Sequence, residues 1–143
     1  MIRFSKREDY AIILVNELAR NYNKRLVPLS EIAKSYSISV LFLRNLAHDL
    51  KNAGIIKAVE GKSGGYYLLK NPQSLKMGSV LSIFTKNQLL NCCSNAFDKK
   101  HARKCPKQDK CITGNVWRSL NKEFIDKIYN LSIKEFMGYN VKN

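Results

Sequence analysis

No stretch of this chain approaches the ~20 consecutive apolar residues that a membrane-spanning helix needs. Its first ten residues, MIRFSKREDY, are charged and lack the apolar centre of a secretory signal. Such a chain is expected in the cytoplasm, where cysteines stay reduced and disulfides are the weaker explanation for them. Histidine is scarce: two in 143 residues, with no converging set of acids and bases, which argues against an enzyme. Acidic side chains number 11 against 25 lysines and arginines, which leaves a net charge of +14. An excess of that size suits a partner made of phosphates. The charge is spread through both halves of the chain, so it does not locate the contact. There are no internal repeats. The apolar fraction of 45% is enough for a packed core.

What the chain does contain is an ordered stretch from Ser30 to Leu69. It reads as two short helices, a tight turn and two strands joined by a Gly-rich loop. Ser30 is placed to cap a first helix carrying Ile32, Ala33 and Tyr36. Ser39 is placed to cap a second, in which Leu43, Leu46, Ala47 and Leu50 make one apolar stripe at helical spacing. Phe42, Arg44, Asn45, His48, Asp49, Lys51 and Asn52 fall on the other face. Gly54 suits the left-handed position that ends a helix. Ile55 to Val59 and Tyr66 to Leu69 are strand-like, and Gly61 to Gly65 form the loop between them. Helix, turn, helix and wing in that order put one helix into a DNA major groove. Ser39, Arg44, Asn45 and His48 are the base-edge candidates, with Arg44 suited to guanine. Lys51, Lys62 and Ser63 suit phosphates, and Gly64 and Gly65 let the wing backbone come close to the duplex.

Around this stretch, Ser5 and Glu8 form a capping box for a helix from Phe4 to Tyr22, whose apolar face packs behind the reading motif. Residues 1–69 look self-sufficient. Gly78 to Phe84 can make two helical turns. Thr113 to Leu131 reads as the longest helix, with Trp117, Leu120, Phe124, Ile128 and Leu131 spaced as a coiled-coil seam. A seam outside a complete domain calls for a second copy of the chain. Ser132 and Glu135 start a last short helix. The expected fold is mainly α with a small β-wing: a winged helix-turn-helix domain over residues 1–76, a short helix and cysteine loop over 77–111, and a dimerisation helix with a C-terminal short helix over 112–143.

Cys92, Cys93, Cys105 and Cys111 all lie in one aperiodic loop of high positive charge. Structural zinc prefers paired ligands two to four residues apart. Here two are adjacent and the others stand far apart, which suits an iron–sulfur cluster better, since its thiolates bind different irons. Zinc and a metal-free thiol switch stay open on spacing alone, as do inert thiols on a winged-helix RNA-binding or scaffold protein. The surrounding Lys99, Lys100, Arg103, Lys104, Lys107 and Lys110 favour thiolates.

Phe4-Ser5-Lys6 with Asp9-Tyr10-Ala11, Leu29 to Ala33, Leu50 to Ile55, the wing Gly61-Lys62-Ser63-Gly64-Gly65-Tyr66, Met77 to Leu81, and Lys110 to Thr113 followed by Trp117 together resemble the IscR/NsrR family of bacterial winged-helix regulators. The resemblance runs almost end to end. It implies a homodimeric, iron–sulfur-dependent transcription factor, acting as a repressor, that binds pseudo-palindromic double-stranded DNA. The implied ligands are Cys105, Cys111 and either Cys92 or Cys93, with a 4Fe–4S cluster preferred over 2Fe–2S. IscR-type members place a ligating histidine where this chain has Gly114. NsrR-type members instead use an aspartate near the start of the first helix, here Asp9, offered to the partner subunit's cluster. Asp9 alternatively only complements the helix dipole, and His101 is the rival fourth ligand. Glu60 stands where a wing arginine is common. The signal implied is nitric oxide or oxygen. The alternatives are a cluster-occupancy sensor for iron–sulfur biogenesis, a cluster-free thiol switch, and an iron–sulfur electron carrier.

Overall fold

The computed structural model describes residues 5–84 and 110–139. Among these residues six helices and one two-stranded antiparallel sheet follow in the order α1 (Lys6–Arg20), α2 (Leu29–Tyr36), α3 (Val40–Asn52), β1 (Ile56–Val59), β2 (Gly65–Leu68), α4 (Met77–Phe84), α5 (Ile112–Asn130) and α6 (Ile133–Met137). The mainly helical fold with a small β-wing is the one the sequence predicts.

Each helix start has a local cause. At α1 the Glu8 carboxylate turns back and accepts from the Ser5 backbone N–H, the expected capping box. Ser39 caps α3, its hydroxyl accepting from the Phe42 N–H at 3.5 Å. At α2 the expectation fails. The cap is Pro28, and Ser30 lies exposed inside the first turn. Pro28 is extended, at φ −71° and ψ 141°, so it turns the chain into the helix two residues earlier than Ser30 could. Ser37 closes α2 in the left-handed conformation, and Gly54 takes the same region after α3 as predicted.

The sheet pairs Ile56 with Leu68 and Val59 with Gly65. Val27 adds one bridge on its far side, exchanging hydrogen bonds with Tyr66 at 3.0 and 2.9 Å. This bridge fixes the connection before α2 to the wing.

The core is one cluster. Leu14 and Leu18 of α1, Ile32 of α2, Leu43, Leu46 and Leu50 of α3, and Ile56 of β1 are buried with Leu75, Met77 and Leu81, and also with Ile133 of α6. Residues 1–69 therefore do not close the core by themselves. The later segments are bolted in by backbone: the Met77 N–H donates to the Leu131 carbonyl, and the Ile133 N–H to the Leu75 carbonyl, both at 2.8 Å. Deleting a side chain such as Leu14 from this cluster costs about 2–5 kcal/mol.

The predicted long helix is present and spans 19 residues. Its seam divides. Ile128 and Leu131 rest against the core, while Trp117, Leu120 and Phe124 stay exposed together with Ile112 and Val116.

Candidate nucleic-acid interface and cysteine segment

Helix α3 presents two faces. Leu43, Leu46, Ala47 and Leu50 are buried, which anchors the helix against α1 and α2. Leu41, Arg44, Asn45, His48, Lys51 and Asn52 are exposed, and their spacing of three, one, three, three and one residues makes a continuous outer stripe. Arg44, Asn45 and His48, the expected base-edge residues, thus share one accessible surface with Lys51. Ser39 sits exposed at its N-terminal end, one hydroxyl acceptor engaged in the cap.

Two residues placed on that outer face by sequence are turned away from it. Phe42 is half-buried and meets the Tyr10 ring edge-on, with centroids 5.6 Å apart. Asp49 pairs with Arg7 at 2.5 Å. Both belong to the flank that faces α1. On the outer stripe, the Asn52 amide nitrogen lies 3.0 Å from His48 Nε2. With the amide donating, Nε2 accepts and Nδ1 carries the ring hydrogen, leaving that N–H for an acceptor outside the chain.

The wing adds Lys62 and Ser63, both exposed at the loop tip, with Glu60 beside them. Gly64 and Gly65 have a requirement of their own. An added Cβ at Gly64 would strike the Val59 carbonyl oxygen, and at Gly65 it would lie 2.9 Å from the Val27 backbone. Their lack of a side chain lets this chain's own strands pack, besides anything it does for an approaching duplex.

Of the implied cluster ligands, Asp9 and Cys111 are described, whereas Cys92, Cys93, Cys105 and His101 lie outside the described residues. Cys111 is the N-cap of α5. Its sulfur accepts from the Gly114 N–H at 3.2 Å and lies 3.4 Å from the Thr113 hydroxyl. Gly114, the position where the sequence resemblance implies a histidine in IscR-type members, thus meets the sulfur through its backbone. Asp9 is exposed in the first turn of α1. Among the described residues no three His, Cys, Asp or Glu side chains gather into a group that could hold a metal.

Sequence reasoning missed how the first turn of α1 is held. Arg7 reaches Asp49 of α3 and also stands over the Phe84 ring at the end of α4, 5.5 Å from its centroid. Tyr10 meets the Phe42 ring edge-on. Asp9 lies between these two grips on the reading helix. Arg7 and Asp49 are 42 positions apart, so no local pattern could have paired them. Leu41 was also missed, although its spacing from Arg44 and Asn45 places it on their stripe.

The sequence profile of Rrf2, described as an iron-dependent transcriptional regulator, matches residues 4–139. The chain belongs to the Rrf2 family. It is 26% identical over 137 residues to the HTH-type transcriptional regulator IscR of Pectobacterium atrosepticum, covering 96% of this chain and 80% of that protein. The fold is also that of CymR, the global cysteine regulator of B. subtilis, with a TM-score of 0.74 at 20% identity over 99% of this chain and all of the other. T. potens IscR superposes with a TM-score of 0.72 at 22% identity over 96% of this chain and 87% of the other. As a member of the Rrf2 family the chain is a transcriptional regulator, not an enzyme. Its described helices include none long and apolar enough to cross a membrane.

Proposed function

We propose that this Rrf2-family regulator is a homodimeric repressor. In this reading its hold on DNA depends on an iron–sulfur cluster bound by Cys105, Cys111 and either Cys92 or Cys93, with Asp9 of the partner subunit as the fourth ligand. The donor chemistry fits: thiolates for iron, and an exposed carboxylate free to reach across a dimer. The family's description as iron-dependent points the same way. A cluster held there supplies an iron centre that reacts with nitric oxide or oxygen.

The observation that carries the reading is the setting of Asp9. Its helical turn is fixed to α3 from both sides, through Arg7–Asp49 and through Tyr10–Phe42. A ligand bond on Asp9 therefore restrains the reading helix, and releasing that bond frees α1 and α3 to shift together. A shift of an ångström or two in the spacing of two reading helices discards base contacts worth ~1–3 kcal/mol each.

The dimer is supported by the outer face of α5, where Val116, Trp117, Leu120 and Phe124 are between 37% and 52% exposed. A contiguous apolar stripe of this kind suits a second copy packing against it. Ser39, Arg44, Asn45 and His48 of each subunit are then assigned to base edges in successive major grooves. Lys51, Lys62 and Ser63 are assigned to phosphates, with Gly64 and Gly65 at the wing approach.

The test is Asp9→Ala, compared with the native chain by anaerobic absorption spectra and DNA binding before and after nitric oxide. The variant is expected to bind DNA when cluster-free, and to lose either cluster retention or the change in affinity. Unaltered retention together with an unaltered response would sink the fourth-ligand assignment. A preparation free of iron and sulfide, whose DNA binding changes with oxidant alone, would instead establish the thiol-switch reading. Nitric-oxide insensitivity with a response to cluster loading would favour a sensor of cluster supply.

A further inference from the structure

The first turn of α3 carries a feature that neither charge nor hydrogen bonding accounts for. Leu41 is 65% exposed, and it is the one apolar member of a stripe otherwise made of Arg44, Asn45, His48, Lys51 and Asn52. A solitary surface leucine would need no explanation. This one follows Val40, which is 38% exposed, so two consecutive apolar residues are open at the N-terminal end of the helix. The inner face of the same helix already has its full apolar complement in Leu43, Leu46, Ala47 and Leu50. No acidic residue lies in the first turn, so nothing there repels a duplex. In helix-turn-helix proteins the N-terminal residues of the reading helix are the ones that meet base edges. The major groove offers one apolar group, the C5-methyl of thymine.

We infer that Leu41, flanked by Val40, reads a thymine methyl in the major groove, so that each half-site favours an A·T pair opposite the first turn of α3. The inference rests on α3 being the DNA-reading helix. It assigns the hydrogen-bonding positions to Arg44, Asn45 and His48, one and two turns further along, and an apolar position ahead of them. The apolar contact then precedes the hydrogen-bonding ones along the half-site, in the order they take along the helix. Leu41 would be a specificity residue: it adds little to general affinity and discriminates between thymine and the other three bases.

Deoxyuridine tests this directly, because it differs from thymidine by the one methyl. Preferred duplexes would be selected from a random pool with the full-length protein, prepared anaerobically. Each thymine of the recovered site would then be replaced singly by deoxyuridine, and binding read by fluorescence anisotropy at fixed salt. At one position per half-site the native protein is expected to bind roughly fourfold more weakly, the change that one buried methyl group corresponds to. Leu41→Ala should reduce that penalty to near unity, whereas Arg44→Ala should keep it while lowering affinity overall. Circular dichroism should show Leu41→Ala as helical as the parent, since the side chain is outside the core. A preferred duplex whose thymines all tolerate deoxyuridine, or a penalty equal in Leu41→Ala, overturns the inference and leaves DNA reading by α3 intact. A pool that yields no preferred duplex overturns both.

Discussion

At Gly65 an added Cβ would lie 2.9–3.0 Å from three backbone atoms of Val27, and that backbone is held by its bridge to Tyr66. Gly65→Ala is accordingly expected to cost about 1–3 kcal/mol, seen as a lower urea midpoint, with DNA binding weakened only through loss of the wing. Glu135 illustrates a charge serving one helix end. The backbone N–H and hydroxyl of Ser132 both donate to it at 2.7 Å, and these bonds hold its pKa below the ordinary glutamate range. Because the folded state lowers this pKa, the contribution is complete above the unfolded value and fades as pH falls through the folded one. Melting temperatures of Glu135→Gln and the parent should therefore differ near neutral pH and converge in acid. Tyr36 shifts the opposite way: the acceptor Glu17 keeps its hydroxyl protonated, so that contribution is lost as pH rises through the folded value.

Elements matter here chiefly through what they join. The first turn of α1 touches α3 through Arg7 and Tyr10, and the end of α4 through the Arg7 contact with Phe84. Cys92 and Cys93 follow α4 in the chain, and this turn touches both the end of α4 and α3. Exposed ion pairs add at most about 1 kcal/mol, so Arg7→Ala should melt close to the parent. Under the proposed function it should nonetheless shrink the difference in DNA affinity between cluster-loaded and cluster-free protein, and an undiminished difference would remove α1 from the proposed coupling route. Helix α5 joins in another way. Its inner end lies on the core, where Gly78 of α4 leaves room for the Tyr129 ring, while its apolar outer stripe stays open. Leu120→Glu should convert the proposed dimer to a monomer in sedimentation velocity without unfolding the core. Because two linked half-sites are then lost, DNA affinity should fall far more than a single contact explains.

For the whole molecule the governing quantity is charge. With +14 on 143 residues, much of the DNA affinity is expected to come from counterion release. If a dimer neutralises about six phosphates, its affinity should drop about a thousandfold between roughly 50 and 200 mM monovalent salt. A flat salt dependence would mean that the basic side chains face elsewhere. Positive charge supplies affinity without sequence choice, so, with Lys62 assigned to phosphate in the proposed function, Lys62→Ala should weaken all duplexes alike.

Much of this architecture is local and was therefore legible. The caps at Ser5, Ser39 and Ser132, the turn at Gly54, the apolar stripe of α3 and the length of α5 each follow from residues within a turn or two of one another. The cap of α2 was misplaced because Pro28 and Ser30 both signal a helix start, and backbone geometry decided for the proline. What the sequence could not settle depends on residues distant along the chain. The Arg7–Asp49 pair, the Val27 bridge that makes Gly65 obligatory, and the recruitment of Ile133 into the core exist only once helices meet. Sequence alone was enough to place the apolar stripe of α3, the clustering of the cysteines along the chain and the size of the positive charge, because those are properties of composition and short-range periodicity. Only the packed fold decided which side chains of α3 stay outside. It turned Phe42 and Asp49 toward α1 and left Leu41 in the open, because the packing of one helix against another assigns a face to each residue.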